Sequence, residues 1–157
     1  MLHVKNTLSK LVLATALAFT VGITSSFAAP APTGGIGYTV NSAFHKDFDN
    51  ATLLDYKVSK DYTRLTLKTT DAILYAFYND NGDLLAVSQN IKSSQLPVKL
   101  LAELKKTYGN CWISDLFELT SDDQSNYYIT LENADSKITL KSSDAASWEV
   151  YKKTNKD

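Results

Sequence analysis

Few residues in this chain have the types and spacing that catalysis or metal binding needs. His45 and Cys111 stand 66 positions apart, and the only other histidine is His3 near the amino terminus. A zinc site needs three or four Cys, His or carboxylate ligands brought together at short spacing. One histidine and one cysteine that far apart do not supply it. A serine nucleophile needs a histidine base and a strained elbow to present it, and no G-x-S-x-G occurs. Neither G-x-x-x-x-G-K-[ST] nor G-x-G-x-x-G is present, so the phosphate cradles of nucleotide sites are missing. Carboxylates are the remaining candidates. Asp122 and Asp123 could form an acid pair, as could Asp80 and Asp83. Asp80-Asn81-Gly82-Asp83 has a faint calcium-loop look, but it lacks the twelve-residue pattern and its terminal Glu. Both read as polar turns. The expectation is a protein that is not an enzyme, with no catalytic residue, no metal ligand and no cofactor.

The ends and the composition narrow the classes further. Lys5 and Lys10 precede a run free of charge from Leu11 to Ile23, followed by Ser25-Ser26-Phe27-Ala28-Ala29-Pro30. Small residues at Ser26 and Ala28 suit cleavage after Ala28, and the apolar run is shorter than the roughly 20 residues that span a bilayer. Residues 1–28 therefore read as a secretory signal peptide, and the protein is expected to be periplasmic or secreted, with no membrane span after cleavage. The remaining 129 residues carry 14 basic and 17 acidic side chains, a net charge of −3 spread without a basic stripe. Nucleic acid, whose affinity comes mainly from phosphate neutralisation, is not an expected partner. Cys111 cannot pair within its own chain. It reads as a small apolar residue at the start of a strand, the alternative being an intermolecular bridge or reactive thiol.

These residues must be positioned by elements that recur. A flexible leader over 29–38 precedes a helix with Val40, Phe44 and Phe48 on one face. Strands are expected at Leu53–Val58, Tyr62–Thr69, Ala72–Asn79 and Leu84–Gln89, with Asn81-Gly82 marking a tight hairpin. A second helix opens at Leu96-Pro97, lines one face with Leu101, Leu104 and Tyr108, and stops at Gly109. Strands at Trp112–Leu119, Tyr127–Asn133, Lys137–Ser142 and Trp148–Lys153 follow. Phe48 with Tyr108, Asn50 with Asn110, and Asp55 with Asp115 are each 60 apart. Beyond them the offset is 64, as in Leu65 with Ile129 and Leu74 with Ile138. The extra four residues suit a longer polar loop around Ser121-Asp122-Asp123-Gln124. The reading is one α+β domain over 39–157, made of tandem αββββ repeats at 39–90 and 95–154. They form an antiparallel sheet with two helices on one face.

The helix ending in an aromatic residue, the turn Tyr78-Asn79-Asp80-Asn81-Gly82, the helix start Leu96-Pro97 and the paired αβ₄ layout resemble the PepSY-like, β-lactamase-inhibitor-like (BLIP-like) domains of exported bacterial proteins. The resemblance covers roughly residues 38–153 and implies a binding module that holds down a hydrolase or peptidase. Tyr56 stands where that family has Trp, and Asp144-Ala145-Ala146 replaces its glycine turn. The family's inhibitory reputation rests on likeness to a disulfide-stapled inhibitor, and a chain with one cysteine has no such staples.

Alternation along strands sorts the side chains by face. Leu65, Leu67, Leu74, Ala76, Leu84 and Ala86, with Ile129, Leu131, Ile138, Leu140, Trp148 and Val150, read as the helix-covered core. The opposite set of the second repeat (Tyr128, Thr130, Glu132, Lys137, Thr139, Lys141, Glu149, Tyr151, Lys153) reads as an ordinary solvated face. In the first repeat it is Arg64, Thr66, Lys68, Ile73, Tyr75, Phe77, Leu85 and Val87. Five of these eight are large and apolar or aromatic, and exposed apolar patches mark interaction sites. Arg64, Ile73, Tyr75, Phe77, Leu85 and Val87 are accordingly the candidate contacts for a protein or peptide partner in the cell envelope. Cover by the leader or a sheet edge is the competing explanation of that face. Two other roles are open: a sensor of a small molecule or peptidoglycan fragment using Tyr75, Tyr128 and Tyr151, and a structural envelope protein.

Overall fold

The computed structural model describes residues 35–156, and the expected signal peptide lies outside them. Helix α1 (Tyr38–Asp47) is followed by β1 (Thr52–Val58), β2 (Thr63–Lys68), β3 (Ile73–Tyr78) and β4 (Leu84–Asn90). Helix α2 (Val98–Thr107) is followed by β5 (Trp112–Ser121), β6 (Gln124–Glu132), β7 (Ser136–Ser142) and β8 (Glu149–Asn155). The eight strands form one antiparallel sheet in sequential order from β1 to β8. The expected α+β architecture of two αββββ units is what the chain adopts.

Neither helix has a side-chain cap, so each depends on the apolar stripe it buries. Val40 and Phe44 of α1 pack on Leu65, Leu67, Ala76 and Tyr78. Leu100 and Leu104 of α2 pack on Leu116, Ile129, Leu131 and Leu140. Each fully buried Leu or Ile contributes about 1.5–3 kcal/mol. Leu100, fully buried, leads the second stripe, with Leu101 and Tyr108 only flanking it. The register places both clusters on one side of the sheet, because cross-strand partners share a face: Leu65 opposes Ala76, Ala76 opposes Val87, Val87 opposes Thr120, and Leu116 opposes Ile129. Hydrogen bonds made by side chains tie each helix to the strands and their ends, among them one from the Trp148 amide to Glu103 of α2 at 3.2 Å. The Tyr78 hydroxyl donates to Asp47 at 3.1 Å, and Trp148 Nε1–H donates to the Leu100 carbonyl at 3.0 Å. Burial, reinforced by Asp47, pushes the Tyr78 phenol far above its ordinary range.

Bulges break the simple alternation in four places. The register shifts between Leu53 and Asp55 in β1 and between Ile113 and Asp115 in β5. It shifts again where Tyr78 pairs with Leu84 but Phe77 with Ala86, and where Leu140 pairs with Val150 but Thr139 with Lys152. The four residues by which the second unit is longer do not enlarge a loop. They lengthen the β5–β6 hairpin, which closes at the pair Ser121–Gln124 around Asp122 and Asp123 at φ 48° and 61°. Two successive positive φ values are those of a type I′ turn, whose twist matches the strands it joins.

Candidate functional site

The sheet face turned away from the helices carries most of the residues that the sequence singled out, Val87 excepted. On it Arg64 opposes Phe77, Thr66 opposes Tyr75, and Lys68 opposes Ile73. The Tyr75 row continues through Ser88 to Leu119 and Asn126. A second row runs from Asn90 through Phe117, Tyr128 and Lys141 to Glu149. Helices α1 and α2 occupy the opposite face, so no described helix covers these rows.

Rings and cations dominate the surface. The Arg64 guanidinium carbon lies 5.5 Å from the Tyr75 ring centre, within cation–π range. Tyr62 meets Phe77 edge-on at 5.5 Å. Phe117 and Tyr128 stack at 5.0 Å with planes 11° apart, and Tyr151 meets Tyr128 edge-on at 5.7 Å. Lys141 Nζ sits 5.8 Å from the Tyr128 ring. Burial, then the neighbouring Tyr151, push the Tyr128 phenol up. Asp115, on the same face at the β5 bulge, is also raised by burial, opposed by the Leu116 amide and Lys137.

The six candidate contacts do not all reach the surface. Ile73 is 40% exposed and Leu85 44%, whereas Arg64 and Tyr75 are half-buried. Phe77 shares their face but is only 4% exposed, so it supports the surface from below rather than offering contact area. Val87 is a correction. Leu85 is the extra residue of the β4 bulge, so Val87 turns to the helix side beside Ala76, and Ala86 takes the outer position opposite Phe77. The β8 bulge has the same effect on Lys153, which pairs with Ile138 on the helix side while Lys152 joins Thr139.

Phe117 and Leu119 belong to the outer rows and escaped the sequence reading. In β5 the two alternating sets, Asp115-Phe117-Leu119 and Leu116-Glu118-Thr120, are equally mixed, and the bulge removes the frame that would separate them. Glu118, which looks like a surface residue, lies on the helix side and accepts a hydrogen bond from Gln89 Nε2 at 3.2 Å. The second unit's face is therefore more aromatic than its own strands suggest. Tyr75 stands apart from the Tyr128–Tyr151 pair: β4 and β5 lie between, about 14 Å at the usual strand spacing.

The residues considered for chemistry stay dispersed. His45 is exposed and tilted against Phe44 at 4.6 Å. Cys111 is half-buried ahead of β5, with its thiol 3.6 Å from Asn110 Oδ1. Asp122 and Asp123 form the I′ turn, and Asp83 accepts a hydrogen bond from Asn79 at 2.9 Å within its own hairpin. Among the described residues no three metal-ligating side chains converge, and no helix is long and apolar enough to cross a membrane.

No protein-family model and no curated protein matches the chain. Solved structures do. A BLIP-like protein from Bacteroides fragilis aligns with a TM-score of 0.63 at 16% identity, over 74% of this chain and 84% of that one. A protein proposed to be periplasmic, from Bacteroides eggerthii, aligns at 0.68 and 11%, over 78% and 90%. A DUF2874 family protein from Bacteroides ovatus aligns at 0.65 and 16%, over 81% and 89%. At such identities the shared property is the fold, and the fold of this chain is BLIP-like.

Proposed function

We propose that this chain is an exported, non-enzymatic binding module whose first unit docks a protein or peptide partner on the sheet face opposite the helices. The observation that carries the reading is the company kept by Arg64 and Tyr75: a cation stacked on a ring, flanked by exposed Ile73 and Leu85. Aromatic and arginine side chains on a rigid sheet are what binding hot spots favour. A solvated face gains nothing from large apolar groups, which carry roughly 25 cal/mol per Å² of drive toward cover. The fold likeness to a BLIP-like protein favours a hydrolase or peptidase as the partner, held inactive by occlusion. The likeness to a protein proposed to be periplasmic agrees with the signal peptide read over residues 1–28. We read the units 39–90 and 95–154 as PepSY-like repeats, and the first-strand bulges 60 positions apart support that.

The test is recovery of partners from envelope extract by the chain from residue 29 onward, against a variant carrying Ile73→Asp and Tyr75→Asp. The variant should fold, because neither side chain is fully buried, and should lose the partner. Recovery of the same proteins by both would sink the reading.

A further inference from the structure

The charges of the outer face are not evenly divided between the two units. On β5–β8 the outward positions hold Lys137, Lys141 and Lys152 against Asp115, Glu132 and Glu149, and Lys137 is bridged to Glu132 at 3.2 Å. On β1–β3 they hold Lys57, Arg64 and Lys68 against Asp55 alone. Lys57 and Arg64 are cross-strand neighbours, an arrangement that costs stability in the free protein because like charges directly opposite repel. Among the described residues no carboxylate lies within ion-pair distance of any of the three. Arg64 is the most constrained. Its guanidinium is stacked on Tyr75, and its Nε is buried with no hydrogen-bond partner. The protein as a whole is acidic, with a sequence pI of about 6.1, so an unpaired cationic cluster on its aromatic face is out of character with the rest of the surface.

We infer that the partner docked on this face is an acidic polypeptide segment, with an Asp or Glu carboxylate seated on the Arg64 guanidinium and an apolar or aromatic side chain beside it on Ile73 and Tyr75. This rests on the docking reading above and supplies the partner's chemistry. The planar guanidinium fork matches a carboxylate with two parallel hydrogen bonds, and its stacking on Tyr75 holds it in place before binding. Lys68 lies four residues along the same strand, about 13 Å away at the usual rise. A second carboxylate a few residues along an extended segment would meet it.

The experiment is selection of a random twelve-residue peptide library on the chain from residue 29 onward and on three variants: Arg64→Gln, Arg64→Lys and Tyr75→Asp. Peptides taken by the unmodified chain should be enriched in Asp and Glu over Lys and Arg, and Arg64→Gln should erase that enrichment. In the best peptide, exchanging the anchoring Glu for Gln should weaken binding to the unmodified chain about tenfold, as one charge-assisted hydrogen bond commands. The same exchange should leave binding to Arg64→Gln nearly unchanged, while Arg64→Lys keeps part of the preference. Selected peptides that are aromatic without acidic enrichment, and are lost with Tyr75→Asp, would overturn the acidic partner and leave the docking face standing. No selection on any chain, or binding to anionic phosphatidylglycerol vesicles in place of acidic peptides, would overturn it together with the peptide-docking reading. Melting curves of all four chains separate loss of binding from loss of fold.

Discussion

Replacing Arg64 by Met should make the free protein more stable while impairing its binding. The Arg64 Nε–H is buried without an acceptor, and such a donor costs about 1–3 kcal/mol of desolvation. Methionine removes the donor and keeps an unbranched apolar stem against Tyr75. What is lost is the cation–π contact at 5.5 Å, which for a half-exposed pair contributes about 0.5–1 kcal/mol. Relief of the unpaired charge opposite Lys57 adds a few tenths of a kcal/mol on the stabilising side. The net is a gain of about 1 kcal/mol, or about 4 °C in melting temperature for a domain of this size. Thermal and urea unfolding followed by circular dichroism would measure it, with Arg64→Lys as the control that keeps the charge but discards the orphaned donor. That control should gain less than Met. An Arg64→Met protein that melts at or below the temperature of the unmodified chain would refute the reasoning, because the buried Nε would then not be a cost to the fold.

Three further outcomes follow from the backbone and the charges. Gly82→Ala should destabilise by about 1–2 kcal/mol in urea titration, because Gly82 has φ +81° and an added Cβ would lie 3.0 Å from Thr39 Cγ2 and 3.1 Å from the Thr39 carbonyl. Ala145→Gly should stabilise by about 0.5 kcal/mol, since Ala145 holds φ 57° and relief of about 1–2 kcal/mol of left-handed strain outweighs the entropy that glycine adds to the unfolded chain. Glu132, hydrogen-bonded by Lys156, Ser114 and Lys137, is held down to about 2. A folded value below the unfolded one contributes stability that is present above pH about 4.5 and lost as pH falls toward 2. Glu132→Gln should therefore narrow the gap in melting temperature between pH 7 and pH 2, and an unchanged gap would show that the Lys137 and Lys156 bridges carry no linkage.

What could be read from the chain alone was set by local chemistry. Apolar spacing at 3.6 and at 2, Asn81-Gly82, Pro97 and Gly109 placed both helices and all eight strands, because periodicity and turn preference act within a few residues of the position they shape. The inner rows Leu65, Leu67, Ile129 and Leu131 were legible for the same reason: in β2 and β6 the alternation runs unbroken. The outer face was legible in β2 and β3, where Arg64, Ile73, Tyr75 and Phe77 share it, and in β6 and β7, where Tyr128, Thr130, Glu132, Lys137, Thr139 and Lys141 do. The bulges at Leu54, Leu85, Ser114 and Tyr151 lay beyond sequence reasoning, because a single inserted residue reverses every side chain after it and no local signal marks the insertion. That is why Val87 turns inward and why Phe117 and Leu119 join the outer rows. Exposure was also decided by the tertiary structure alone. Phe77 and Ile73 are equivalent by alternation, yet one is buried beside Tyr62 and the other stands open, since burial depends on neighbours from other strands and alternation knows nothing of them.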